Sequence, residues 1–387
     1  MNRKLEYIDL LRGLAILLVV AVHASFSIWY HPTEHRSEFL DLFFASIFYA
    51  GQFGVVLFFI VSAITLTLSM ENRNESKYNF YIRRYFRIAP LYYFGILLYF
   101  VFRLVVESHR SGEIILFPEG YSVLKIIQNI FFLHGLSTNN YNFIVPGGWS
   151  IATEMYFYFV FPFLFILYKS FDLKYFVILT MVISSIALLT QYFEPTGTLK
   201  SSGKIFDFGY TTIINHITIF LLGIITVKLI KMNFLINSFH YILGFISLFF
   251  SLYYINIFRL EKFGVSFLSF LKFDTGFNGF FFPIFFALGM MPIIISISKK
   301  QFFENILFKQ VIEVGKYSYC IYILHFMVLE ILISVLRKTM FTFVELRILK
   351  FFILFFICVI ICFYLSKILS FIIEKPGINL GKKIIKK

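Results

Sequence analysis

The sequence predicts an all-α integral membrane protein of about ten transmembrane helices, N-in and C-in, and three observations carry that prediction. Hydrophobic residues make up 59% of the 387 and charged residues only 14%, against roughly 45–50% and about 25% in soluble domains. The apolar residues gather in repeated runs of about 20, the length a helix needs to cross the hydrocarbon core. Those runs are continuous and do not alternate with period two, which excludes a β-barrel.

In chain order the spans are predicted at about 7–28, 46–69, 89–107, 149–168, 174–193, 211–230, 239–258, 278–297, 317–336 and 348–372. The first imitates a signal peptide, with Arg3 and Lys4 before an apolar core and "VHAS" after it. Asp9 and Arg12 inside the apolar part, and the many later spans, make it a retained helix. A segment near 122–134 is too brief to cross and is predicted to lie at the interface or re-enter. Residues 108–148 form the largest outer loop, which is too short to be a domain but long enough to shape a pocket. Cys320, Cys358 and Cys362 lie in apolar segments near the end and read as buried hydrophobes. The chain therefore divides into one transmembrane domain, 1–375, and a basic cytoplasmic tail, 376–387, whose "GKKIIKK" anchors near anionic lipid.

Charge sets the orientation. With the N-terminus inside, the inner side holds 22 Lys/Arg against 8 Asp/Glu and the outer side 13 against 13. The whole formal charge of +14 then falls on the cytoplasmic face, as the positive-inside rule requires. The expected location is the cell membrane, a bacterial cytoplasmic membrane, in multi-pass form. Nucleic acid is not an expected partner, because there is no soluble basic domain to bind it. No ligand set with metal spacing occurs, so no metal is expected.

The informative residues are the polar ones inside apolar runs, since intramembrane ionisable groups usually line functional cavities. In "LLRGLAILLVVAVHAS" (10–25), Arg12 and His23 are eleven residues apart. That is about 20° beyond three full helical turns, so they share a face roughly 16 Å apart along the axis. Asp9 is placed for an i,i+3 ion pair with Arg12, which in the plainer reading only snorkels at the interface. In "YIRRYFRIAPLYY" (81–93), Arg84 and Arg87 face the same way and suit a phosphate; ordinary positive-inside anchoring is the alternative. Pro90 permits a bend there. In "VPGGWSIATEMYFYFVFP" (145–162), Ser150 and Glu154 share a face and Trp149 suits an interfacial anchor. Glu154 and His23 each lie about five residues inside the outer end of a span, roughly 8 Å deep. An imidazole and a carboxylate at equal depth suit general-base catalysis, or a plain interhelical salt bridge. In "GKYSYCIYILHF" (315–326), His325 is either a pocket residue or a satisfied core histidine.

Together these stretches resemble the acyltransferase 3 family of integral-membrane acyltransferases over nearly the full length. The resemblance rests on "YIDLLRGLAILLVVAVH", "FGVVLFFIVSA", the Arg-x-x-Arg of "RRYFRIAPLYY", "VPGGWSIATEMYFYFVFP", "SYCIYILH" and the terminal "IEKPG". Val56 and Ser62-Ala63 depart from the family's acidic residue and Ser-Gly in the second motif, so no site role falls on the second span. The chain ends after its tenth span and so resembles members without a C-terminal esterase-like domain. It would then complete the transfer itself or hand over to a separate extracytoplasmic protein.

The resemblance implies an acyl-CoA donor, acetyl-CoA first among them, and an extracytoplasmic glycan or lipid-linked glycan as acceptor. It implies phosphate binding by Arg84 and Arg87 with Arg12 nearby. His23 would be the base, oriented by Glu154. Asp9, Trp149, Ser150 and His325 would bind substrate or support the site, with Ser150, Trp149 or a backbone amide facing the oxyanion. The competing reading is a transporter or flippase of a lipid-linked glycan, which also needs polar groups in the membrane. It finds no inverted repeat here and no reason for Arg at one mouth and His with Glu near the other. A glycan polymerase would be expected to carry a larger outer loop.

Overall fold

A computed structural model describes residues 6–29, 39–73, 75–137, 139–192, 211–262, 275–299 and 305–386. It is 87% helical, and the described residues contain no strand. The α-helices are α1 Glu6–Trp29, α2 Phe39–Tyr49, α3 Phe53–Arg73, α4 Lys77–Ser111, α5 Val123–Ile130, α6 Gly148–Ser170 and α7 Leu173–Tyr192. They continue as α8 Ile213–Lys231, α9 Ser238–Lys262, α10 Thr275–Lys299, α11 Ile306–Lys316, α12 Ser318–Lys338, α13 Arg347–Leu369 and α14 Lys375–Lys386. Among the described residues nine helical stretches are long and apolar enough to cross a membrane. With the apolar helix α9 they stand where the ten spans are predicted. The protein is an all-α, multi-pass membrane protein.

Three elements differ from the sequence reading. The arginines of "RRYFR", just before the predicted span 89–107, ride on one continuous helix with it, α4, which Ser76 caps by accepting from Asn79 N–H (3.2 Å). Gly112, at φ +74°, closes the same helix in the left-handed conformation that glycine adopts without penalty. Residues 375–386 form α14, joined to α13 by a π-helical turn at Ser370–Glu374. Helix α11 has no counterpart among the predicted spans, because eleven residues are too few to cross. The expected short segment is α5, eight residues long, followed by a 3-10 turn at Leu133–Leu136. At about 12 Å, α5 cannot span the ~30 Å core.

The chain forms two compact units. The first is drawn from 1–22, 35–74 and 160–316. Its helices meet at small residues, as membrane helices do when lipid supplies no hydrophobic drive for their association. Gly223 of α8 faces Ala63 and Ile60 of α3, and Gly289 of α10 faces Leu248 of α9. A β-carbon on Gly223 would come within 2.7 Å of Ala63. Ser247 and Ser251 of α9 donate to the carbonyls of Phe285 and Phe282 on α10 at 2.7 and 2.8 Å. Helix α11 closes onto α1, with Val311 over Gly13 and Gly315 against the Asp9 backbone.

The second unit is drawn from 23–34, 75–159 and 317–387. Helix α4 is its spine. Gly377 and Gly381 let α14 lie directly on Pro90 and Phe86 of α4, where β-carbons would come within 2.7 and 2.8 Å. The basic C-terminal segment is thus packed against the helix that carries Arg84 and Arg87. Helices α12 and α13 pack against each other, and α12 also packs on α4.

Candidate active site

The centre of the second unit is built from the break before α6. Gly147 has φ +79°, a conformation that other L-residues adopt only with strain, and its N–H is held by Asn142 Oδ1 at 2.5 Å. A β-carbon there would also strike the Tyr322 hydroxyl at 2.8 Å. The turn leaves the Gly147 carbonyl accepting from both the Ser150 hydroxyl and the Tyr322 hydroxyl, each at 3.0 Å. Those two hydroxyls are themselves 2.7 Å apart. Ser150 is therefore a fastening between α6 and α12, with its proton engaged. Trp149 follows Gly148 as the second residue of α6 and is half-buried.

One turn along α12 lies His325, fully buried. Its Nδ1 is 2.7 Å from the Tyr322 carbonyl, which can only accept, so the proton sits on Nδ1 and the lone pair on Nε2. Nε2 is buried and has no hydrogen-bond partner among the described residues. The backbone around it is braced by Tyr99 of α4. The Tyr99 hydroxyl donates to the Ile323 carbonyl (2.9 Å) and accepts from the Met327 N–H (3.3 Å). These two groups form one rung of an α-helix, and that rung encloses His325.

His23 reaches this centre from the C-terminal part of α1. Its ring centroid lies 5.3 Å from His325, 4.2 Å from Phe326 and 6.0 Å from Phe26. Two imidazoles are thus packed together in an aromatic surround, one with its tautomer fixed by a carbonyl. Glu154 is placed by other contacts: its Oε1 accepts from the Tyr158 hydroxyl at 2.5 Å. The Tyr158 ring lies within cation–π reach of Arg84, 5.9 Å from the guanidinium, as does Phe80 at 5.7 Å. The structure therefore brings His23 to His325 and links Glu154 to Arg84 through Tyr158.

Arg87 has a different partner. Glu374, in the π-turn before α14, is 3.6 Å from its guanidinium and only 5% exposed. Ser370 donates to Glu374 at 2.8 Å, and the Cys320 thiol lies 3.4 Å from it. Arg84 and Arg87 share a helix face but are held by separate neighbours. Asp9 and Arg12 belong to the first unit. Their i,i+3 ion pair is present at 3.4 Å, and Arg12 also donates to Thr65 on α3 at 3.2 Å. Among the described residues no three His, Cys, Asp or Glu side chains gather as a metal set.

A second buried histidine lies in the same unit. His134 Nε2 is 2.9 Å from the Tyr92 hydroxyl and 3.0 Å from the Gly148 carbonyl. The Tyr92 hydroxyl donates to Asn129 Oδ1 at 2.8 Å, so it accepts from the imidazole and the proton sits on Nε2. Burial pushes the His134 pKa down to about 4, leaving the ring neutral. It clamps the 3-10 turn to the start of α6.

Tyr322, Tyr99 and Glu374 carry the geometry without having been singled out as site residues. Glu374 lies in the quoted "IEKPG", and a carboxylate just after an apolar run is a readable signal. The tyrosines had none, since they sit among many aromatic residues and only tertiary contact gives them work. The model of the acyltransferase 3 family, described as an acyltransferase domain, matches residues 5–367. No curated protein and no solved structure matches the chain.

Proposed function

The chain belongs to the acyltransferase 3 family and is a membrane acyltransferase; from that premise we propose the reaction it performs. It moves an acyl group, acetyl in the first instance, from cytoplasmic acyl-CoA to a hydroxyl of an extracytoplasmic glycan. The product is an O-acetylated surface polysaccharide or lipid-linked precursor. The observation that carries the chemistry is the buried His325, proton on Nδ1 and lone pair on Nε2, packed against His23.

In this reading His23 takes the proton from the acceptor hydroxyl as that oxygen bonds to the thioester carbon. It returns the proton to sulfur as the C–S bond breaks, so the products are an ester and free CoA thiol. His325, packed against His23 with ring centroids 5.3 Å apart, helps hold its ring in place, beside the orienting role that spacing gives to Glu154. Glu154, fixed by Tyr158, adds the negative charge that favours a transient imidazolium. Arg84 and Arg87 bind the CoA phosphates. The excess of Lys and Arg on the inner loops supports the N-in, C-in orientation and a cytoplasmic donor side.

Thiol release from acetyl-CoA by the purified full-length chain in nanodiscs tests this reading. Wild type should release thiol in an acceptor-dependent way, and His23→Ala should not. Wild type that moves a lipid-linked glycan across the bilayer with no thiol released would replace this reading with the flippase.

A further inference from the structure

The first unit holds a feature that acyl transfer does not use. The turn between α6 and α7 and the C-terminal end of α8 border an open cavity of about 510 Å³, lined by Tyr168, Asp172, Lys174, Lys228, Lys231 and Met232. The Lys228 ammonium stands 4.7 Å over the Tyr168 ring and donates to the Phe171 carbonyl at 2.5 Å. Lys231 and, at 3.2 Å, Lys169 both pair with Glu71, which also accepts from Tyr168 at 3.0 Å.

The cluster is cationic on balance, with Lys169, Lys174, Lys228 and Lys231 facing Glu71 and Asp172. An ammonium has three donors, so Lys228 and Lys231 keep N–H groups for a further acceptor after making the bonds named. The cavity also lies where helices end, at the level where apolar spans meet the charged turn. From it an apolar stripe descends along α7, with Tyr175, Ile178, Met181 and Val182 all exposed. Basic recesses between helix ends on the cytoplasmic side suit anionic headgroups, and an exposed apolar stripe suits acyl chains.

We propose that this cavity binds the phosphate of an anionic phospholipid, with the acyl chains lying along α7. The site is separate from the acyl-transfer reading and stands or falls without it. Inorganic phosphate and the phosphates of CoA share the anionic chemistry but have no use for the apolar stripe.

The test is the Tm of the purified full-length chain in neutral detergent, titrated with phosphatidylglycerol, phosphatidylcholine, inorganic phosphate or CoA. A ligand that binds only the folded state raises Tm with its concentration. Phosphatidylglycerol should raise it and phosphatidylcholine should not. The Lys174→Gln/Lys228→Gln double variant should need at least about tenfold more phosphatidylglycerol for the same rise. Lys174→Gln alone, at an exposed side chain 6.0 Å from the Tyr175 ring, should shift the titration in the same direction. Lys338→Gln, at the exposed end of α12, should leave it unchanged. An unaltered titration in both Lys174 variants overturns the proposal. So does an equal rise with phosphatidylcholine, or a lysine-dependent rise with inorganic phosphate or CoA.

Discussion

Two buried histidines in the second unit, His325 and His134, obey the same local rule and come out with opposite tautomers. A backbone carbonyl takes the proton of each, Tyr322 from Nδ1 of His325 and Gly148 from Nε2 of His134. What differs is the company of the ring. His134 stacks on Tyr92, centroids 5.5 Å apart, inside a mesh of Asn129 and Asn140, and its work is to hold a turn onto a helix start. His325 packs against a second imidazole on another helix. A carbonyl bond makes a buried histidine stable, and a titratable neighbour makes it chemically useful.

The largest expected effect separates the two by activity. His325→Gln should lower acyl transfer by about 10²–10⁴-fold, the usual worth of a positioned acid–base group, with the unfolding transition little moved. His134→Gln should leave turnover within a few-fold. Equal losses from both would erase the distinction drawn between them.

Next comes pH. His134 has an ordinary pKa of 6.5 that the fold lowers to about 4. Between those values the unfolded chain binds the extra proton, so stability is present above about 6.5 and is lost as pH falls toward 4. The loss is about 3 kcal/mol for this group over that window. The Tm of wild type in detergent should fall accordingly on acidification, and His134→Gln should flatten the curve over that interval. An unchanged slope in the variant would contradict the assignment.

A smaller effect divides binding from chemistry. Arg87→Gln touches neither histidine and should raise KM for acyl-CoA about tenfold, roughly 1.4 kcal/mol, with kcat close to wild type. A fall in kcat at unchanged KM would move Arg87 out of donor binding.

The smallest effects come from the two tyrosines that brace the histidines. Tyr99→Phe and Tyr92→Phe each remove hydrogen bonds worth about 1 kcal/mol. Tyr99→Phe loosens the rung around His325 and should lower kcat a few-fold at constant KM. Tyr92→Phe frees the His134 clamp and should lower Tm with kcat retained. The opposite assignment of the two readouts would break the comparison at its second layer.

Much of the fold was legible because a membrane span announces itself by length and hydropathy, and the ten predicted spans coincide with long helices. Helices α11 and α14 were not, since eleven or twelve residues with charged faces carry no span signal. Their place is fixed by Gly13, Gly315, Gly377 and Gly381 meeting neighbouring helices. Within the site, helical spacing put Asp9 beside Arg12, and the ion pair is there. Spacing alone set Glu154 at the depth of His23 and gave no sign that His23 packs on His325. Depth is one coordinate, and which helix stands next to which is decided by close packing. Tyr322 and Tyr99 were hidden for the same reason.

The central claim is that the histidine pair transfers an acyl group, and base-labile esters on surface glycans test it most directly. Mass spectrometry would compare cells carrying the intact chain, its deletion and His23→Ala. The account predicts an acyl ester present only with the intact chain, its mass naming the group and its position naming the sugar hydroxyl. The same ester at full level in cells whose His23→Ala protein is folded and membrane-inserted would contradict it.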